Sequence, residues 1–215
     1  PADAVRLANV AGGLEVEKVG CTPIPRQEIM ARLALDRASG TGKIVNAAQI
    51  AALAEAQRAA GRRIVFTNGC FDLLHVGHVT YLQESAAMGD YLIVALNSDA
   101  SVRRLKGPSR PVIGEGDRAA MLAALASVDN VVVFDEETPL ELIRAIRPDV
   151  LVKGGTYKPE EIVGYDFVTS YGGRVCVTGV VDGISTSRIV ESLAKQGPPA
   201  PHFQQQPAPS EGARR

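Results

Sequence analysis

Apolar residues fall in five short runs separated by longer amphipathic stretches. Ile64–Phe66, Tyr91–Leu96, Val131–Phe134, Val150–Val152 and Arg174–Val177 are rich in β-branched and aromatic residues, as in strands buried on both faces. Between them the spacing turns helical. Val76, Val79, Tyr81 and Leu82 mark a helix over Val76–Met88. Met121, Leu122 and Leu125 mark another over Asp117–Ser127, opened by Gly114–Gly116, and Leu140–Ile146 a third. Pro159–Ser170 reads as a helix with Pro at its start, and a last helix runs from Ser185 to Lys195. Upstream, Pro25–Ser39 reads as a helix ended by Gly40. Ala47–Ala60 reads as a second, with Asn46 as its N-cap and Gly61 as its C-cap. Ala4, Val5, Leu7, Ala8 and Ala11 give a short helical stripe ended by Gly12–Gly13, with an extended piece over Leu14–Gly20. Strands alternating with helices predict an α/β fold: a Rossmann-like, doubly wound, five-stranded parallel sheet with an N-terminal helical segment. Gly197–Arg215, rich in Pro, Gln and Ala, is expected to be a disordered tail.

The 215 residues suit one domain with appendages, and a net charge of −1 gives no reason to expect nucleic acid or an anionic membrane as partner. No apolar run reaches the roughly 18 residues that span a bilayer, and no secretory signal is evident. Cys21, Cys70 and Cys176 are widely spaced and form no CxxC, which suits a reducing cytoplasm. The start at Pro1, without Met, reads as a processed or cut piece.

Candidate chemistry gathers after the first predicted strand. Thr67–Asn68–Gly69 breaks the apolar run, and a helix begins near Val76. Strand, glycine-containing loop and helix together aim backbone N–H groups at one point, which attracts phosphate. His75 and His78, three apart, lie on one helical turn there. Surface or capping histidines are one alternative. A metal pair is another, although only Asp72 stands nearby as a further ligand, and Asp72 reads better as a loop cap. Parallel sheets bind ligands at strand C-termini, which places Asn97, Asp99, Lys153 and Gly154 on the same side. Arg103, Arg104 and Lys106 form a cationic cluster beside it, and Lys106 is the phosphate candidate. Arg118 sits in a helix's first turn, where the helix dipole disfavours a cation, which suggests an anion partner, with a simple salt bridge as the alternative. Ser185, Thr186 and Ser187 at a helix start are N-caps or hydroxyl donors to a triphosphate. Neither G-x-G-x-x-G nor G-x-x-x-x-G-K-[ST] occurs, which argues against a dinucleotide oxidoreductase and a P-loop enzyme.

The run T-N-G-C-F-D-L-L-H-V-G-H resembles the H-x-G-H element of the nucleotidylyltransferase superfamily. N-S-D-A-S-V-R-R-L-K-G-P-S-R-P-V and D-V-L-V-K-G-G-T-Y-K-P-E-E-I-V-G are similar to the adenylyltransferase part of bifunctional heptose-phosphate kinase–adenylyltransferases. Ala2–Thr22 also resembles the last helix and strand of ribokinase-type kinases, through Asn9, Ala11, Gly13, Val16, Lys18 and Gly20. Residues 1–24 then correspond to a kinase remnant, 25–61 to a helical linker, 62–196 to the transferase domain and 197–215 to the tail. The resemblance implies transfer of AMP from ATP to D-glycero-β-D-manno-heptose 1-phosphate for lipopolysaccharide synthesis, with Mg²⁺ on the triphosphate. It assigns His75 and His78 to catalysis, with Lys153 and Arg188 as further catalytic candidates that balance charge. Thr67, Asn68, Gly69, Phe71, Asp72, Gly77, Asn97, Asp99, Lys106, Arg118, Gly154, Ser185, Thr186 and Ser187 are assigned to the nucleotide and its phosphates. A kinase domain partner and a homo-oligomer are expected. A cytidylyltransferase for glycerol phosphate, an FAD synthetase-like enzyme and a nucleotide-binding module without turnover are the alternatives.

Overall fold

The computed structural model describes residues 2–16, 18, 20, 23–29 and 41–178. The predicted final helix, with Ser185, Thr186, Ser187 and Arg188, and the C-terminal tail lie outside the described residues, as does most of the helix expected over Pro25–Ser39.

The elements, in chain order, are α1 (Ala2–Val16), β1 (Ile44–Val45), α2 (Ala47–Ala59), β2 (Ile64–Gly69), α3 (Val76–Ala86), β3 (Tyr91–Asn97) and α4 (Asp99–Lys106). They continue with α5 (Glu115–Ala124), β4 (Asn130–Phe134), α6 (Leu140–Ile146), β5 (Val150–Gly154), α7 (Tyr165–Ser170) and β6 (Arg174–Thr178). All five predicted strands form. A sixth, β1, adds to one edge, so the parallel sheet has six strands in the order β1-β4-β3-β2-β5-β6. Two residues, Ile44 and Val45, carry no readable periodicity, and pairing with Val131 and Val132 is what makes them a strand.

Three other expectations change. The first helix runs through Gly12–Gly13 to Val16 instead of stopping there. The charged stretch after Asn97 is a helix, α4, capped by Ser98, whose side chain accepts from the Ser101 N–H. The predicted Pro159–Ser170 helix is split into a turn of 3₁₀ helix (Pro159–Glu161) and the short α7. Gly164, at φ +95°, takes a left-handed conformation that a continuous helix cannot include, and a Cβ there would meet Ile143.

Alternate strand residues face opposite layers. Ile64, Phe66, Ile93 and Leu151 pack with α2, α6 and α7 through Ile50, Ile143 and Val168. Val65, Leu92, Val94 and Val152 pack with α3 and α5 through Leu82 and Leu122. Asn46 closes a capping box at α2: its Oδ1 accepts from Gln49 N (2.9 Å) and its N–H donates to Gln49 Oε1 (3.0 Å). No helix among the described residues is long and apolar enough to cross a membrane.

The strand order reverses at β2, which lies between β3 and β5. The chain leaves β2 toward β3 on one side, and returns across the sheet to β5 on the other. Loops that diverge at such a point leave a crevice at the strands' C-terminal ends.

Candidate active site

A cavity of about 800 Å³ opens at this crevice. It is lined from β2 and its loop by Asn68, Gly69, Cys70, Phe71 and Asp72, from α3 by Gly77, His78 and Tyr81 with His75 just before them, and from β3 by Asn97. Lys106 closes one side, and Lys153 and Gly154 come from β5.

The β2 loop is shaped by one unusual residue. Phe71 takes φ +44°, a left-handed conformation that costs a non-glycine residue of the order of 1 kcal/mol. The turn lays the Phe71 ring against Gly69, where any Cβ would come within 3.0 Å of it. The ring's other neighbour is the His78 imidazole, edge to face at 5.2 Å. His78 in turn stacks on His75, with centroids 3.9 Å apart. Gly69, Phe71, His78 and His75 thus form one pile at the start of α3. The His75 N–H lies 3.4 Å from His78 Nδ1, the reach-back half of a capping box. That contact makes Nδ1 the acceptor and puts the ring proton on Nε2.

Both imidazoles are shifted toward the neutral form. Burial lowers His75, and burial, His75 and Lys106 lower His78 to about 4, against a smaller opposing pull from the Leu73 backbone. His75 Nδ1 is buried without a hydrogen-bond partner among the described residues.

Lys153, at the end of β5, reaches across to the end of β2. Its Nζ donates to Asn68 Oδ1 (3.1 Å) and to the Asn68 carbonyl (3.3 Å). Burial pulls its ammonium below the ordinary lysine value, and an anion arriving in the cleft would favour the charged form. Thr67 and Tyr81 tie the same two strands from beneath. Their hydroxyls hydrogen-bond, and the Tyr81 hydroxyl donates to the Val152 carbonyl (3.2 Å). Thr67 is fully buried, so it supports the cradle floor instead of lining it.

Arg118 is fully buried, and its guanidinium does not face the cleft. Nε donates to the Ile113 carbonyl (2.9 Å), Nη1 to those of Cys70 (2.5 Å) and Asn97 (3.0 Å), and Nη2 to Asp99 Oδ1 (2.6 Å). The anion partner expected for it is therefore Asp99, and both residues belong to the scaffold behind the cleft. Asn97 lines the cleft while its Nδ2 donates to Ser101 Oγ (2.9 Å). Asp72 is buried and its carboxylate is engaged within the protein: Oδ1 accepts from Val112 N (2.6 Å) and Ile113 N (3.2 Å), and Oδ2 faces Arg110 at 2.5 Å. Among the described residues no group of three or more His, Cys, Asp or Glu side chains could hold a metal ion.

Sequence reasoning missed the far wall. Glu137, Thr138 and Pro139 after β4, and Tyr157 and Glu161 after β5, complete the lining. Tyr157 and Glu161 lie within the K-G-G-T-Y-K-P-E-E run, whereas Glu137, Thr138 and Pro139 belong to no motif and had only their place after a strand C-terminus as a signal.

The description cytidylyltransferase-like matches residues 66–192. The chain is 53% identical over 194 residues to the bifunctional protein HldE of Pelobacter propionicus, and 54% identical over 194 residues to that of Geobacter sulfurreducens. Each match covers 90% of this chain and 40% of the relative, so the chain spans well under half the length of these proteins. A lipopolysaccharide core biosynthesis protein from Thermoplasma volcanium overlaps 56% of the chain and 99% of its own length, at 27% identity and a TM-score of 0.48.

Proposed function

This chain belongs to the cytidylyltransferase-like family and is a nucleotidylyltransferase, and we propose that it transfers AMP from ATP to D-glycero-β-D-manno-heptose 1-phosphate, releasing pyrophosphate. The observation that carries the reading is the pile of two histidines on Phe71, in one cavity with Lys153. The K-G-G-T-Y-K-P-E run and the identity to HldE support the choice of sugar phosphate. The far wall suits it too: Glu137, Thr138, Tyr157 and Glu161 offer acceptors and hydroxyls, which favour a polyol over a second phosphate chain.

In the proposed reaction a phosphate oxygen of the heptose attacks the α-phosphorus in line. A new P–O bond forms as the bond between the α-phosphorus and the bridging oxygen breaks, and pyrophosphate leaves with the electron pair. The nucleophile is already an anion, so no covalent enzyme intermediate and no general base are required. Catalysis is positioning and charge stabilisation. His78 and His75 donate N–H groups to phosphate oxygens. A neutral donor loses no proton to the phosphates, so its hydrogen bond persists as charge moves to the leaving group. Lys153 and Lys106 balance that charge from opposite walls, and Arg188 and Ser185–Ser187 are assigned to the β- and γ-phosphates. Asp72 is held by Arg110 and two backbone amides, so it is not offered as a ligand to the Mg²⁺ that would arrive with ATP.

The share of the relatives outside this match, and the likeness of Ala2–Thr22 to the end of a ribokinase-type domain, support a kinase as neighbour. The cytoplasm is the compartment this reading implies. The test is a panel of ATP and CTP against heptose 1-phosphate and glycerol 3-phosphate, read as pyrophosphate release. Turnover with ATP and the heptose alone is expected. Turnover only with CTP or glycerol 3-phosphate would keep the reaction class and overturn the substrate.

A further inference from the structure

The strained turn at Phe71 is clamped on both sides by the buried side chains of Arg118 and Asp72. On one side Arg118 Nη1 holds the Cys70 carbonyl at 2.5 Å. On the other, Asp72 accepts from Val112 N and Ile113 N and faces Arg110 Nη2 at 2.5 Å. The Asp72 side chain is fully buried and that of Arg110 is 14% exposed. A left-handed non-glycine residue persists only where its surroundings over-determine it, and such residues gather at functional sites. The ring that this turn orients is the one against which His78 lies.

We infer that Arg110 is a positioning residue: acting through Asp72, it holds the Phe71 turn and so sets the register of the Phe71–His78–His75 pile. A buried carboxylate that accepts from two amides and is ion-paired to one guanidinium ties the β2 loop to the segment before α5. Without the guanidinium, Asp72 keeps its amide contacts but loses its charge partner, and the tie loosens at the residue next to Phe71. The inference depends on the proposed reaction only for its kinetic readout.

The experiment compares the wild type with Arg110→Met, Arg110→Lys, Asp72→Asn and the Asp72→Asn/Arg110→Met double variant. The first readout needs no substrate: NMR titration of the histidine ring protons. In the wild type His78 titrates near 4, pressed by burial and by His75 and Lys106. In Arg110→Met the midpoint should move up toward the ordinary histidine value as the pile opens, and Arg110→Lys should restore most of the wild-type behaviour. The second readout is steady-state kinetics with whichever acceptor turns over. A fall in kcat on the order of tenfold, with KM for ATP nearly constant, is expected for a small misplacement of the donors. The double variant should be no worse than the poorer single one, because both remove the same tie. An unmoved His78 titration in Arg110→Met would overturn the inference, even if the melting temperature fell. A raised KM at constant kcat would also overturn it, because Arg110 would then be a phosphate ligand. If no acceptor turns over, the transfer reading fails while the titration still decides the role of Arg110.

Discussion

The two ends of the parallel sheet treat their polar groups in opposite ways. At the N-terminal end three aspartates, each just before a strand, close the backbone of a neighbouring strand. Asp90 accepts from Arg63 N (2.8 Å), Asp129 from Leu92 N (2.7 Å) and Asp149 from Ile64 N (2.7 Å). Each also donates its own N–H back to the neighbour's carbonyl. Those amides and carboxylates answer one another. At the C-terminal end the aromatic pile leaves His75 Nδ1 buried without a partner among the described residues, and brings Lys106 and Lys153 to one cavity. One end stabilises the fold by satisfying its groups, and the other leaves polar groups open to the cavity beside a strained turn.

Substitutions should therefore separate activity from stability according to the end they touch. Under the proposed reaction His78→Ala removes one transition-state donor and should lower kcat on the order of 10² to 10³-fold, with little change in melting temperature. Lys153→Met removes a cation from the cleft and should lower kcat/KM by about tenfold or more, measured as pyrophosphate release. At the other end Asp149→Ala leaves the Ile64 amide without its acceptor and should cost about 1–3 kcal/mol in urea unfolding while kcat stays within about twofold. The smallest effect is a pH dependence. The folded value for His78, about 4, lies below the ordinary 6.5, so the unfolded chain takes up its proton first as pH falls. Its share of stability is complete above pH 6.5 and is lost as pH drops toward 4. The difference in urea midpoint between wild type and His78→Ala should change over that window and stay constant above it.

The same contrast explains what the sequence made legible. Long apolar runs and the H-V-G-H spacing depend on local order, so the five main strands, α3 and the histidine pair could be read directly. The edge strand β1 could not, because its identity lies in pairing with Val131 and Val132. Nor could the break at Gly164, where one left-handed glycine overrides a helical pattern. Arg118 was placed among the phosphate ligands because its position in a first helical turn called for an anion. Its anion is Asp99, and its other donors reach carbonyls of Ile113, Cys70 and Asn97, distant in sequence. Glu137 was invisible for the same reason: only the fold brings its loop to the cavity.

The most direct measurement is pyrophosphate release from ATP, Mg²⁺ and heptose 1-phosphate by wild type, His78→Ala and Asp149→Ala, beside their melting temperatures. The account predicts that His78→Ala melts like the wild type but loses nearly all heptose-dependent release, while Asp149→Ala melts lower and turns over normally. Release that survives in His78→Ala would contradict it, as would a loss in Asp149→Ala that matches the loss in His78→Ala.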